Sequence, residues 1–523
     1  MKRENSSLPR TIVLVGLSII WLAPGCGGSS GGGATQDAAS VDAGDGSVMV
    51  DGFLDARLDG QAHADGAADG QVQPDGSGNC QQVAEPDPVS DSSLRGQSPA
   101  GSFESVQENA FHDDFVYNQS HTLKVGIRRE WGGTIVYFGM DDGHQGINGT
   151  NVIDANDTGR EVQVAFYDPD RQMQDCAADA VCATTPTHCE NSITFLGWDP
   201  VQGGNRCNVG SGTDSVDLTG GVITVTTTPL FWNPNWDRRD CDSNACNDSN
   251  LRQRRGDVQV VERLRFVAHY IVELDYTLTN LSAMEHRATA QEMPTVYTAN
   301  GHGGPDLWRL FDSNGTEVPI DTDGQNRFHH VEFQSPGGWV TMQDSNLDYG
   351  VGLYMENRLT AFQGWQQRSL PFNNFRGLFS FGIPANGTVR ARAYLIIGSQ
   401  STVTANAAWL DQHLAPFGSL DQPTADGQLS GQVTVSGWAL DNKGVSAVDL
   451  VIDGTTVVPM TYGSNRPDVC LVWPGYPHCS DVGYHGTLDT TQLTSCPHLI
   501  DVRATDTDGN QRIIARRRVQ VRN

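Results

Sequence analysis

The sequence has no G-x-S-x-G elbow, no H-E-x-x-H pair, no phosphate-binding loop and no Rossmann fingerprint in a sensible place. Esterase, zinc-peptidase and nucleotide-dependent chemistry are thereby excluded, and no cofactor is implied. Positive charge is scarce: 34 Lys and Arg stand against 62 Asp and Glu, a net charge of -28. Nucleic acid is therefore not an expected partner, because phosphate binding is driven by Lys and Arg releasing counterions. Helical periodicity is nearly missing, apart from a short candidate at 404–414. Charged residues make up only 18%, whereas 58 Gly and 24 Pro punctuate the chain, a composition of strands and turns. The eleven cysteines include no C-x-x-C pair, and their spacing is loose for structural zinc. With Cys26 set apart, those at 80, 176, 182, 189, 207, 241, 246, 470, 479 and 496 form an even set, suited to disulfides in an oxidising compartment.

Long apolar runs are also lacking. The one continuous stretch, 11–24 (TIVLVGLSIIWLAP), follows Lys2, Arg3 and Arg10 and falls short of the ~20 residues that a spanning helix needs. That is the build of a signal peptide. Its end, Leu22-Ala-Pro-Gly-Cys26, resembles a lipobox, in which small residues precede a Cys that is lipidated on its thiol and becomes the mature N-terminus. The resemblance implies a leader over 1–26, lipidation at Cys26 and a membrane held through acyl chains. Gly27, in place of Asp, points to the outer membrane of the cell envelope. Residues 27–100 repeat Asp-Gly and Asp-Ala units such as Asp45-Gly46, Asp59-Gly60 and Asp69-Gly70. Their spacing wanders too much for a calcium array, and a disordered acidic tether is the expectation.

Between 101 and 415, runs of alternating apolar and polar residues recur at 121–127, 134–138, 162–167, 221–227, 258–266, 270–278, 350–354 and 389–397. Such alternation marks half-buried antiparallel strands, so the fold class expected is all-β, with a large β-sandwich body. Within it, Asn156-Asp-Thr-Gly-Arg160 sets a turn before a guanidinium, with Gln163 and Tyr167 following along the same strand. Asp157, Arg160, Gln163 and Tyr167 suit the gripping of hydroxyls or a carboxylate, and an ion pair from Arg160 to Asp157 or Asp154 is the equally weighted alternative. Trp198, Gln202 and Trp232 lie in loops rich in amides, where aromatic faces hold sugar rings. A Trp also caps cores, and that reading carries equal weight.

Glu292 and Glu332 are the candidate acid and base, with Tyr297, His302 and Trp339 near them in sequence. Two carboxylates facing one cleft serve glycoside hydrolysis. A Tyr or His base beside a group that neutralises a uronate serves a lyase instead. The competing account is that Glu292 satisfies backbone or Arg groups. His329 and His330 are adjacent and point to opposite faces of a strand, so they cannot chelate one metal together. No metal is assigned, and one at His329 or His302 stays open.

The body resembles in texture the two-sheet supersandwich shared by galactose mutarotase-like proteins and several polysaccharide lyases, with Arg129-Glu-Trp-Gly-Gly-Thr-Ile-Val136 similar to its early strand after a Gly-Gly turn, while Asn156–Arg160 and Gly197-Trp-Asp-Pro-Val-Gln-Gly-Gly204 resemble signatures of secreted bacterial proteins of unassigned activity. The resemblance implies carbohydrate-related activity over about 120–400 and transfers no catalytic residue.

From 416 to 523 the pattern shifts to short strands around 433–441, 448–454, 498–503 and 512–521, which suits a small immunoglobulin-like sandwich. Gly437-Trp-Ala-Leu-Asp441 and Ala504-Thr-Asp-Thr-Asp-Gly-Asn510 resemble bacterial Ig-like modules. Cys470 is expected to pair with Cys479, and Cys496 then pairs with Cys80 or remains a thiol. The functional expectation is a polysaccharide hydrolase or lyase on the envelope, with a non-catalytic glycan-binding lipoprotein as the alternative. Carboxylates converging beside exposed Trp would favour the enzyme, and salt-bridged ones the binder.

Overall fold

The computed structural model describes residues 101–523, except 142–148, 169–196, 235, 237–244, 302–303, 357–358, 426 and 474–475. The leader, Cys26, the tether, His302 and Cys80, Cys176, Cys182, Cys189 and Cys241 lie outside the described residues. Among those described, no helix is long and apolar enough to cross a membrane.

Alternating sequence becomes two facing sheets. The larger has twelve strands. Its main path runs from Phe103–Glu108 through Phe111–Tyr117, Leu123–Arg128, Thr134–Met140 and Val162–Ala165 to His286–Tyr297, then Phe372–Gly377, Ala361–Gln367 and the edge strand His329–Gln334. The smaller has eight, in the order Arg309–Phe311, Trp339–Gln343, Gly350–Met355, Thr388–Ile397, Ile271–Asn280, Val258–Ala268, Val222–Thr227 and Thr213–Thr219. Neighbours along both paths pair antiparallel, as in the pairs Ile271↔Ile396 and Val296↔Phe375. Val125, Ile127, Val162, Val164, Val296, Phe362 and Phe375 from the larger sheet meet Val225, Val260, Leu264, Leu274, Leu353 and Leu395 from the smaller in one apolar core. Because side chains alternate along a strand, the neighbours Glu161, Gln163, Thr295, Tyr297, Gln363, Trp365, Asn374 and Arg376 face away from that core. The all-β sandwich expected from the sequence is what forms.

The Gly-Gly turn of the 129–136 piece has a steric reason. Gly132 takes φ +64°, and a Cβ there would stand 2.1 Å from the Gln202 carbonyl. Only glycine admits that approach. The helix expected at 404–414 runs over Gln400–His413, starting a turn earlier because the Ser399 side chain accepts from Thr402 N at 3.2 Å. Its Val403, Ala407 and Leu410 pack behind the smaller sheet on Tyr354, Tyr394 and Trp339.

The C-terminal strands form a separate eight-stranded sheet with its own core of Val435, Leu450, Ile500, Val502 and Val519. Cys470 bonds Cys479, as expected, and Cys207 bonds Cys246. Cys496 is also disulfide-bonded. The thiol alternative for it is thereby ruled out.

Candidate functional site

Two cross-strand rows occupy the outer face of the larger sheet. In the first, Gln163 lies opposite Thr295, Thr295 opposite Arg376, Arg376 opposite Gln363 and Gln363 opposite Glu332. In the second, Tyr297 lies opposite Asn374, Asn374 opposite Trp365 and Trp365 opposite His330. Residues directly opposite have Cβ atoms roughly 5 Å apart, so each row is a continuous strip of side chains.

The first row is wired together. Arg376 pairs with Glu292 and donates from Nε to Gln363 Oε1 at 3.0 Å. Gln363 Nε2 donates to Glu332 Oε1 at 3.0 Å, and Tyr167 Oη donates to Glu292 Oε1 at 3.0 Å. Burial, and then the Glu292 carboxylate, hold the Tyr167 phenol well above its ordinary range. Tyr297 is pushed up for the same two reasons. Both phenols are thus proton donors at neutral pH. Glu292 and Glu332 sit on strands three spacings apart, roughly 14 Å between backbones.

The second row is aromatic. His330 stacks on Trp365 at 4.3 Å and 18°. Tyr297 meets Phe372 edge-on at 5.4 Å, and Phe328 meets the same ring at 5.1 Å. His330 is exposed and His329 buried, on opposite faces of their strand as the spacing requires.

Among the described residues, several buried polar atoms on this face find no hydrogen-bond partner. They are Thr134 Oγ1, both Glu161 carboxyl oxygens, Thr295 Oγ1 and Asn374 Oδ1. Burial, reinforced by Asp157 and Asp154, holds the Glu161 carboxyl well above the usual range, which favours its protonated form. Native folds leave few such groups, and their concentration on neighbouring strands marks this face out.

The Asn156–Arg160 turn serves chiefly to pin a loop. Arg160 Nε lies 3.1 Å from Asp157 Oδ2, and Nη1 donates to the carbonyls of Leu370 at 3.2 Å and Pro371 at 3.4 Å. Its guanidinium stands over Phe372, 5.9 Å from the ring centre. Asp154 is pushed up to about 7 by burial, opposed by Arg160. Gln163 accepts from Gly203 N at 3.0 Å, which ties the 197–204 segment to the neighbouring strand Val162–Ala165.

Four of the sequence's candidates stand elsewhere. Trp198 is fully buried, stacked on His286 at 3.6 Å with its Nε1 donating to Asp257 at 2.8 Å, so it is core rather than ligand platform. Gln202 is buried among Val164 N, the Gly132 carbonyl and Glu262. Trp339 belongs to the smaller sheet, packed beneath the Gln400–His413 helix. Trp232 packs across Gly159, where a Cβ would come within 2.9 Å of its ring. The face brings together Tyr167, Glu292, Tyr297, Gln163 and, at the edge, Glu332. Sequence reasoning missed Glu161, Gln363, Trp365, Asn374 and Arg376. The signal available was alternation in Phe362-Gln-Gly-Trp-Gln366 and Phe372-Asn-Asn-Phe-Arg376.

Residues 416–502 match the family model of a bacterial Ig domain. No curated protein matches the chain. A galactose mutarotase-like protein from Clostridium acetobutylicum aligns with a TM-score of 0.35 at 8% identity, covering 58% of this chain and 99% of that one. A putative aldose 1-epimerase from Klebsiella pneumoniae subsp. pneumoniae gives 0.35 at 9% identity, over 59% and 86%. A polysaccharide lyase gives 0.28 at 6% identity, over 80% and 47%. Likenesses of this depth assign no residue. The Ig match and the disulfides indicate an extracytoplasmic protein.

Proposed function

We propose that this protein is a lipoprotein, tethered to the cell envelope through Cys26 and the 27–100 segment, that binds glycan on the outer face of its larger sheet. The observation that carries the reading is the double row itself. Exposed His330, stacked on Trp365, offers a ring face to solvent, and Gln363, Asn374 and Tyr297, each 5–8% exposed, border it with donors and acceptors. Glu292 is already neutralised by Arg376 and held by Tyr167. A carboxylate so engaged orients neighbours more readily than it shuttles protons, which favours binding over hydrolysis.

A second reading, polysaccharide hydrolase or lyase, is favoured by the Tyr167 contact with Glu292, which places a phenol, a carboxylate and a guanidinium within one cluster. The test is the secreted chain carrying Cys26→Ser, applied to a glycan array and assayed for new reducing ends and for the ultraviolet absorbance of unsaturated uronate ends. Retention without turnover, lost in Trp365→Ala, supports the binder. Turnover that disappears in Glu292→Gln replaces it with the enzyme. Neither retention nor turnover across neutral, acidic and amino-sugar polymers removes glycan as the ligand.

A further inference from the structure

The loop that feeds the edge strand of the larger sheet carries donors that the glycan reading does not use. Asp321-Thr-Asp-Gly-Gln325 turns sharply at Gly324, with φ +65°. The turn sets Asp321 Oδ1, Asp323 Oδ1 and the Gln325 carbonyl to one side. From a different element, the start of strand His329–Gln334, the imidazole of His329 is aimed into them while only 4% exposed. Its Nε2 stands 2.9 Å from Gln325 O, 3.5 Å from Asp321 Oδ1 and 3.7 Å from Asp323 Oδ1. The three side-chain donor atoms all lie within 4.8 Å of one another.

We propose that Asp321, Asp323, His329 and the Gln325 carbonyl bind a first-row divalent cation, zinc foremost. The spacings from Nε2 to the three oxygens are close to those of a coordination shell. Ligands held at ~2.0–2.2 Å around a tetrahedral ion stand roughly 3.3–3.6 Å apart, and the separations from Nε2 bracket that edge. One imidazole N–H satisfies one acceptor, yet three oxygens converge on it, two of them anionic. The turn's own N–H groups orient the two carboxylates, Gly324 donating to Asp321 Oδ1 at 2.7 Å and Gln325 to Asp323 Oδ1 at 3.0 Å, and each oxygen so held keeps a lone pair for a cation.

The donor set also chooses among ions. An imidazole nitrogen with carboxylate and carbonyl oxygens suits zinc, whereas a calcium site is built from oxygens alone. On binding, the ring turns the lone pair of Nε2 to the metal and keeps its proton on Nδ1, giving up its hydrogen bond to Gln325. Arg327 takes the other oxygen of Asp323, at 2.6 Å from Oδ2, and leaves Oδ1 turned inward. Asp323 is exposed, so the ion has a way in from solvent. The bound ion would fix the beginning of the strand that carries His330 and Glu332.

The full secreted chain, stripped with a chelator, is titrated with Zn2+, Mn2+ and Ca2+ separately by calorimetry, with thermal unfolding in parallel. Asp321→Asn and Asp323→Asn are the variants, since asparagine keeps the acceptor that each turn uses and removes the charge. One equivalent of Zn2+ is expected, raising Tm, with affinity falling at least about tenfold in each variant while the metal-free Tm stays at the parent value. Absence of saturable binding, or zinc binding undiminished in both variants, overturns the site. Calcium bound in preference to zinc overturns the assignment of His329 as a ligand.

Discussion

Glu262 lies among Val225 and Tyr276 in the apolar space between the two sheets, fully buried, where it accepts hydrogen bonds from Gln202 Nε2 at 2.7 Å and Tyr276 Oη at 3.1 Å. Burial pushes its carboxyl up to about 7, opposed by those two donors. A raised carboxyl means that the folded state holds a proton the unfolded chain has released. Its contribution to stability is whole below the ordinary value of 4.5 and is lost as pH climbs through about 7. Glu262→Gln removes this dependence. The variant should gain on the parent by up to about 3 kcal/mol between pH 5 and pH 8 in denaturant midpoints, and a gap that fails to widen with pH would mean that Glu262 ionises freely. Trp198 makes the complementary case. It has no exposed surface and fills the core beside His286, so Trp198→Ala should cost about 3–5 kcal/mol in stability. A loss confined to glycan retention, at unchanged Tm, would return it to the binding surface.

At the scale of strands, alternation carried most of what could be read. The runs at 258–266, 270–278 and 389–397 form Val258–Ala268, Ile271–Asn280 and Thr388–Ile397 because β-branched and aromatic residues recur on one face. The polar face was harder to read. Strands such as Ala361–Gln367 and Phe372–Gly377 are filled with Gln and Asn, which signal turns rather than strands, and only cross-strand pairing turns their alternate residues into one surface. Glu292 was legible as a candidate, but its partner Arg376 lies 84 residues away in sequence. That pairing supplies its own test. Arg376 and Glu292 are each only 13% exposed, so Arg376→Met strands a carboxylate and should cost about 3–5 kcal/mol. In a Glu292→Gln background the same change should cost much less, and a double-mutant cycle from urea unfolding reads the difference. Equal costs in the two backgrounds would mean that Arg376 stabilises the sheet through Gln363 alone.

Over the whole molecule, the described residues join the Ig-like module to the body through polar hubs and an aromatic contact. Glu356, from the body, receives Arg512 of the module at 2.8 Å and Arg392 of its own sheet at 3.4 Å, while Tyr476 donates to its carbonyl at 3.5 Å. Asp411, near the end of the Gln400–His413 helix, accepts from Asn442 at 2.9 Å and from Tyr354 at 2.7 Å. Asn510 adds a bond to the Gln412 carbonyl at 2.8 Å. Hydrogen bonds to charged groups contribute about 1.5–3 kcal/mol each, so this handful couples the module to the body by a few kcal/mol, enough for joint unfolding yet small enough to break. Native protein should therefore show one calorimetric transition. Combining Arg512→Ala with Asn442→Ala and Asn510→Ala removes the module's side-chain donors to the Glu356 carboxylate, Asp411 and Gln412, keeps the Tyr476 bond to the Glu356 carbonyl, and leaves Glu356 with Arg392, so no bare charge is created in the body. That variant should split into two transitions, the body retaining its Tm and the module melting lower. A single transition in the variant would place the coupling in the contacts it retains, the Tyr476 bond to the Glu356 carbonyl and the aromatic contact between Trp473 and Phe379, whose rings lie 6.3 Å apart.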